Sequence, residues 1–255
     1  MENMDSNIGR VVAYLKSIDQ FDKTLIFFMS DNGAEADRED GNPNFANYIE
    51  TAGVYDNSYD NIGKVGSWAF VREGWAQSGM APYRLYKGFP TEGGTLVASF
   101  AHHPALTASG TIDDQYLNVM DLMPTFLEAA QAEFDPARVR GRDVLPMDGT
   151  SFFSALKSAE RVHSADEVIA TELHGQRSLL RGDWKIVWEQ MTANIWWEGE
   201  KPDHWRSWRL FNLADDPTEQ NDLAVAEPEL FEELTGLWDE WAEANGVVTE
   251  LTAKW

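Results

Sequence analysis

The sequence predicts an α/β domain followed by a small α+β subdomain, and three observations support this prediction. First, an amphipathic helix pattern leads into a short apolar strand that ends in polar residues, which is half of a βαβ unit. Second, a long segment rich in Gly, Asn and Asp follows at residues 34–80. Third, from about residue 135 the pattern changes to a turn-rich connector, short strands and a final helix. We therefore expect the α/β portion at 1–135, a connector at 136–165 and the α+β subdomain at 166–255.

Composition and charge exclude several classes of protein. The 255 residues include 43 Asp and Glu against 20 Lys and Arg, which gives a formal net charge of -23, and they include no cysteine. Binding to phosphates depends on Lys and Arg, so we expect neither nucleic acid nor a membrane surface as a partner. Without cysteine the chain has no disulfide, no thiolate metal site and no cysteine nucleophile.

Neither a membrane span nor a signal peptide is indicated by the sequence. The longest wholly apolar run is Leu25–Met29, whereas a membrane helix needs about 20 residues. The first residues lack the basic and apolar regions of a signal peptide, and their pattern is that of the middle of a helix. No cellular location follows from these observations.

The α/β portion begins with a helix and a strand. Apolar residues spaced at i, i+3, i+4 and i+7 predict an amphipathic helix over about 4–18, and they are Ile8, Val11, Val12, Leu15 and Ile18. Leu25–Met29 is rich in strand formers and lacks polar alternation, so we expect a strand buried on both faces of a sheet. Further along, residues 96–101 predict a strand, and residues 121–130 predict a helix capped by Asp121.

The C-terminal part reads as strands followed by a helix. The predicted elements are a short helix at 151–156, strands at 177–180, 184–189 and 208–213, and a helix at 227–244. Gly182-Asp183 between the first two strands predicts a hairpin turn. The tryptophans of this part, from Trp184 to Trp208, are interpreted as subdomain core, with carbohydrate stacking as the alternative.

Two places carry candidate chemistry. Asp31 and Asn32 directly follow the buried strand, and their oxygens are hard ligands that suit Ca²⁺ or Mg²⁺ rather than zinc. Asp-Asn-Gly is also a common turn sequence, so a purely structural interpretation stays open. Lys87 precedes a Gly-rich turn and is placed to bind a sulfate or phosphate oxygen, with an ordinary exposed lysine as the alternative. His102 and His103 are interpreted as structural, because adjacent strand residues point to opposite faces.

Four segments, in order, resemble those of the sulfatases, in particular the bacterial arylsulfatases of the alkaline-phosphatase superfamily. They are Asn7–Val12, Phe28–Glu35, Ala81–Lys87 with Thr91–Gly94, and Arg181–Lys185 with Leu210–Pro217. The resemblance implies a mixed alkaline-phosphatase-like sheet with flanking helices, followed by a short antiparallel sheet and a C-terminal helix.

The resemblance also implies a function and its site residues. Asp31 and Asn32 correspond to ligands of Ca²⁺, with Mg²⁺ as the less favoured ion, and Lys87 corresponds to the residue that binds the sulfate group. Asp31 also corresponds to a residue that helps to orient the nucleophile. The implied activity is the hydrolysis of a sulfuric ester, and the implied partner is a small-molecule sulfate ester.

The sequence departs from the family pattern in one informative way. The family nucleophile is a formylglycine formed in a Cys/Ser-x-Pro-x-Arg motif, and the nearest counterpart here, Met80–Arg84, has methionine at that position. We therefore interpret the chain as an N-terminally truncated sulfatase, inactive alone, whose missing half carries the formylglycine. A phosphodiesterase or phosphonate hydrolase of the same superfamily and a non-catalytic binding relic are the alternatives.

Overall fold

The computed structural model describes residues 2–36, 55–104, 110, 112–135, 137–158, 160–190 and 202–248. The helices are α1 (Glu2–Ser17), α2 (Arg72–Met80), α3 (Glu92–Thr95), α4 (Leu122–Ala129) and α5 (Pro228–Ala244). The strands are β1 (Ile26–Met29), β2 (Ser99–His102), β3 (Arg138–Val139), β4 (Arg142–Asp143), β5 (Val168–Leu173), β6 (Gln176–Arg181), β7 (Trp184–Trp188) and β8 (Trp208–Asn212). Within these described ranges, no helix is both long and apolar enough to cross a lipid bilayer.

The chain divides into two compact units. Unit 1 draws its described residues from Met1–Met29 and Ala98–Ser164, and unit 2 draws them from Ser30–Val97 and Ala165–Trp255. The candidate residues Asp31, Asn32 and Lys87 therefore all belong to unit 2. The division of the chain at residues 135 and 165 that the sequence suggests stays a prediction.

The predicted first helix and strand of unit 1 are confirmed as α1 and β1. The strand β1 pairs antiparallel with β2. Phe28 lies opposite Phe100, and their stacked rings have centroids 5.2 Å apart. The prediction that β1 is buried on both faces is wrong for the described residues, since all four of its residues are only half-buried. The reason is that β2 is the one described strand that pairs with β1. No residue of α1 is buried by the described part of the chain, although its apolar stripe is present.

A buried carboxylate organises the second half of unit 1. The helix α4 is present as predicted, but Asp121 does not cap it. Its carboxylate instead accepts hydrogen bonds from the backbone N–H groups of Asn118 at 2.6 Å and Thr150 at 2.8 Å, and lies 2.9 Å from His163 Nε2. These bonds fix the chain on both sides of α4, and His163 takes part in them as a structural residue.

The predicted helix at 151–156 is replaced by turns. Phe152 is buried and its N–H donates to Thr125 Oγ1 at 2.9 Å, while Ser151 Oγ donates to Glu128 Oε2 at 2.5 Å. These bonds attach the segment to α4, and its backbone forms turns in place of a regular helix. The tertiary contacts therefore outweigh a weak local helix pattern.

Unit 2 contains the predicted small α+β subdomain. The strands β5, β6, β7 and β8 form an antiparallel sheet in that order, and the hairpin at Gly182-Asp183 joins β6 to β7 as predicted. The strand β5 was missed by the sequence analysis. The helix α5 confirms the last predicted element, and its apolar stripe packs on one face of the sheet, with Leu234 and Trp238 fully buried. The Trp238 ring meets that of Trp208 edge-on, with their centroids 5.4 Å apart, so aromatic rings pack beside the aliphatic residues of this core.

Candidate active site

The turn after β1 presents two side-chain oxygens. Asp31 is exposed and Asn32 is half-buried. The Asn32 amide nitrogen donates to the carbonyl of Gly33 at 2.9 Å, and Ser30 Oγ donates to the carbonyl of Asn32 at 3.1 Å. The bond to Gly33 orients the side-chain amide of Asn32 through its nitrogen. Among the described residues, neither Asn32 Oδ1 nor the Asp31 carboxylate accepts a hydrogen bond, so both are available to a cation.

The second part of the site is a closed loop, which we call the lysine loop, spanning residues 84–94. It follows α2, where the Gln77 side chain bonds the backbone of Tyr83 and Leu85 at 2.9 and 2.8 Å. The carbonyl of Arg84 accepts from Gly93 N at 3.0 Å and from the Thr91 hydroxyl at 2.7 Å, which closes the base of the loop. Lys87 lies in the part of the loop that these bonds leave exposed.

Backbone contacts bring the Asp31 turn and the lysine loop together. Gly33 N donates to the carbonyl of Gly94 at 3.1 Å, and Lys87 N donates to the carbonyl of Ala34 at 3.1 Å. A Cβ on Gly33 would stand 2.1 Å from the carbonyl oxygen of Gly93, so only glycine permits this approach. The backbone of Lys87 is thus hydrogen-bonded to the segment that directly follows Asp31 and Asn32.

Lys87 forms an ion pair across this junction. Its ammonium contacts the carboxylate of Glu35, and each side chain is 44% exposed. An ion pair at this exposure contributes little to stability, and an anion can displace the carboxylate from the ammonium. Among the described residues, Glu35 therefore balances the charge of the Lys87 ammonium.

A buried carboxylate, Glu189, anchors the start of the lysine loop to the subdomain sheet. Its oxygens lie 2.5 Å from Arg84 Nη1, 2.6 Å from Arg209 Nη2 and 3.1 Å from His204 Nε2. Burial by itself would raise the pKa of Glu189, but the hydrogen bond to His204 and the charges of Arg84 and Arg209 outweigh it and lower the pKa. Glu189 is therefore ionised in the folded protein.

A second buried carboxylate, Glu219, anchors the end of the loop. Its Oε2 accepts from Glu92 N at 2.9 Å, and its Oε1 lies 3.1 Å from Lys185 Nζ, which also pairs with Glu92 Oε1 at 2.6 Å. Burial tends to lower the pKa of Lys185, but the charges of Glu219 and Glu92 outweigh this and raise it. The backbone carbonyl of Glu219 also accepts from Arg84 Nε at 3.2 Å, so this residue contacts both ends of the loop.

Sequence analysis missed these charged partners of the loop. Lys185 interrupts the otherwise apolar β7, and such a charge in an apolar strand is a signal that a buried partner is required. Glu189 follows the same strand directly, whereas Glu219 lies in a turn-rich acidic segment that carries no such signal. Glu35 follows Asp31 by only four residues, but nothing in the pattern pairs it with Lys87.

The other residues of interest take structural positions. His102 stacks on Phe21 with ring centroids 4.9 Å apart. Trp184 and Trp208 pack against the core of unit 2, as the core interpretation predicts. Residues 196 and 197, which are also tryptophans, lie outside the described residues.

Asp31 and Asn32 can be tested as ligands of the calcium ion that the family resemblance implies. A carboxylate and an amide oxygen on one turn are the ligand types that Ca²⁺ prefers, and their oxygens are available. Ca²⁺ requires six to eight oxygens, and in the parts of the chain that the structure describes no group of three or more His, Asp or Glu could hold a metal. Asp31 and Asn32 therefore fit the ion as a partial ligand set.

Comparison with known proteins agrees with this arrangement. The sequence profile of the family described as Sulfatase matches residues 1–132. An uncharacterized sulfatase of Schizosaccharomyces pombe is 34% identical over 249 residues, which cover 98% of this chain and 43% of that protein. The arylsulfatase of Klebsiella aerogenes is 34% identical over 163 residues, covering 62% of this chain and 33% of that enzyme.

Solved structures support the same fold. The crystal structure of Ps i-CgsB superimposes with a TM-score of 0.61 at 23% identity, over 93% of this chain and 40% of that one. The predicted α/β portion with its antiparallel subdomain and C-terminal helix is thereby confirmed as an alkaline-phosphatase-like sulfatase fold. The chain belongs to the sulfatase family. It spans less than half the length of the curated relatives it matches, and it matches their C-terminal part.

Proposed function

We propose that this chain is the downstream part of a sulfuric ester hydrolase, in which Asp31 and Asn32 bind Ca²⁺ and Lys87 binds the sulfate group of a small-molecule sulfate ester. The observation that carries the proposal is the junction of the Asp31 turn with the lysine loop, held by the Gly33–Gly94 and Lys87–Ala34 hydrogen bonds. The membership of the sulfatase family supports the choice of a sulfate ester over other anions.

The chemistry of these residues suits a sulfuryl group. Negative charge develops on its oxygens as the ester bond breaks, and a fixed ammonium opposite them stabilises that charge. A bound Ca²⁺ supplies Lewis-acid polarisation of a sulfuryl oxygen. Lys87 would leave Glu35 and pair with the sulfate oxygens, while Asp31 would orient the attacking group through its carboxylate. The nucleophile, a formylglycine in the family, belongs to the upstream part in this proposal.

The proposed partner of the chain is the upstream part of the same catalytic domain. The described part of the chain buries none of α1, whose apolar side chains Val11 and Tyr14 are 60% and 63% exposed. The curated relatives extend over more than twice the aligned length, which supports an upstream segment. We propose that this segment covers α1 and supplies the remaining calcium ligands.

The experiment begins with the reading frame upstream of the Met1 codon. We expect it to encode an Asp-Asp pair and a Cys/Ser-x-Pro-x-Arg motif, and we expect the complete protein to hydrolyse an aryl sulfate until Ca²⁺ is chelated. Lys87→Ala should lower kcat by roughly 100-fold or more, as removal of one oxyanion donor does. Lys23→Ala, which removes an exposed lysine of unit 1, serves as the control and should leave kcat unchanged.

Three results would contradict the proposal. Faster turnover of phosphate esters than of sulfate esters would favour a phosphodiesterase or phosphonate hydrolase. Calcium binding without turnover of any ester would favour a binding relic. A stop codon directly before the Met1 codon would leave the chain without its nucleophile.

A further inference from the structure

The position of Lys87 depends on the base of the lysine loop. Among the described residues, the backbone N–H of Lys87 donates to the carbonyl of Ala34 outside the loop, and its side chain pairs with the exposed carboxylate of Glu35. Exposed ion pairs hold geometry weakly, because side-chain entropy and solvent screening oppose them. The loop is held at its base, by the hydrogen bonds at Arg84 and at Thr91–Gly94, and by the buried side chains of Tyr86 and Phe89 on either side of Lys87.

Glu219 contacts both ends of that base. Its carboxylate accepts from Glu92 N at 2.9 Å, and its backbone carbonyl accepts from Arg84 Nε at 3.2 Å. The carboxylate is completely buried, and Lys185 balances its charge from β7 at 3.1 Å. One residue therefore connects the two ends of the loop to the sheet of the subdomain.

The buried charges of Glu219 and Lys185 suit a positioning role better than a stabilising role. Burying an ion pair costs desolvation, and an apolar cluster of the same volume stabilises a fold equally well or better. A buried carboxylate that accepts a backbone N–H does, however, fix that backbone in one direction and at one distance. That backbone group is the N–H of Glu92, which is the first residue of the short helix α3 at the end of the lysine loop.

We propose that Glu219 is a positioning residue for Lys87, holding the base of the lysine loop so that the ammonium faces the anion site. This inference rests on the proposed sulfate-binding role of Lys87. Glu219 does not touch the anion itself and acts through Arg84 and Glu92. Lys185, 3.1 Å from Glu219 Oε1, is the counter-charge of the buried carboxylate.

Site-resolved amide hydrogen exchange on the 255-residue chain tests this inference without turnover. The reporter amides are those of Lys87, Glu92 and Gly93, which donate hydrogen bonds given above, and that of Gly94, which donates to the carbonyl of Thr91 at 2.9 Å. In Glu219→Gln we expect them to exchange about 10-fold faster or more, while the amides of β6 and β7 change less than about twofold. Glu233→Gln is the matched control, because it removes a carboxylate that pairs with Arg181 on the same sheet. It should leave both groups of amides unchanged.

Two exchange results would overturn the inference. Unchanged reporter amides would mean that Glu219 does not hold the loop, and equal acceleration in the loop and in β6 and β7 would mean that it only stabilises the subdomain. If Glu219→Gln does not fold, Glu219→Asp replaces it. That variant keeps the charge but retracts the carboxylate by one methylene, so we expect the same local pattern.

Kinetics of the complete protein give a second readout. Because positioning affects the transition state more than ground-state binding, Glu219→Gln should lower kcat for an aryl sulfate about 10-fold with a smaller change in KM. An unchanged kcat beside locally faster exchange would overturn the link to Lys87. If the wild-type protein hydrolyses no sulfate ester, the proposed function fails, whereas the exchange experiment still decides whether Glu219 holds the loop.

Discussion

Replacing Gly33 by alanine should separate the Asp31 turn from the lysine loop. The added Cβ would stand 2.1 Å from the carbonyl oxygen of Gly93 and 3.1 Å from Gly94 Cα, both of which are backbone atoms that cannot rotate away. The two segments must therefore part by roughly 1 Å, and overpacking of this kind costs about 1–3 kcal/mol. We expect Gly33→Ala to lower the free energy of unfolding of the chain by this amount.

Urea unfolding followed by tryptophan fluorescence measures this effect. Gly79→Ala is the matched control, because its Cβ would meet Ala34 Cβ at an ordinary 3.9 Å and because alanine favours the helix α2. That control should stabilise the chain by about 0.5–1 kcal/mol. In the complete protein, a misplacement of about 1 Å at Lys87 should cost roughly 100-fold in kcat/KM. A Gly33→Ala chain as stable as the wild type would refute the close approach on which this reasoning rests.

Three further predictions concern the core, the buried carboxylate and the net charge. Trp238→Ala should lower the free energy of unfolding by about 3–5 kcal/mol, because the side chain is fully buried, whereas truncation of the 75% exposed Trp75 should leave urea unfolding almost unchanged. Glu189 has a lowered pKa, so its stabilising effect is complete above its ordinary value of 4.5 and is lost as the pH falls below it. Glu189→Gln should therefore destabilise the chain by about 3–5 kcal/mol at neutral pH, and urea unfolding should show this difference shrinking on acidification. For the complete protein, kcat/KM for an aryl sulfate should rise from low to moderate salt, because the net charge of -23 on these 255 residues repels the anionic substrate until salt screens it beyond about 8–10 Å.

Local patterns predicted the elements whose apolar residues are regularly spaced. The helices α1 and α5 and the hairpin at Gly182-Asp183 lie within a few residues of their predicted positions. The strand β5 was missed because Glu172 breaks a short apolar run, and α2 was missed because two glycines interrupt its helical pattern. These errors arise where tertiary contacts, and not local propensity, decide the structure.

The candidate site was predicted in part. Asp31, Asn32 and Lys87 were found through the apolar strand that precedes the first two and through resemblance to a family, and their roles stay predictions. The partners of the lysine loop could not be found in this way. Arg84 and Glu189 are 105 residues apart, and Glu92 and Glu219 are 127 apart, so no periodicity connects them.

These long separations have a consequence for how the protein matures. A contact between distant residues forms only after the whole intervening chain is available, and closing so long a loop costs conformational entropy. During synthesis the lysine loop leaves the ribosome well before Lys185, Glu189 and Glu219, and it lacks these buried partners until the C-terminal sheet folds. A chain that stops short of Glu219 would therefore keep only the local contacts of the loop. A later-made part of the polypeptide thus decides when the base of the lysine loop is anchored to the sheet.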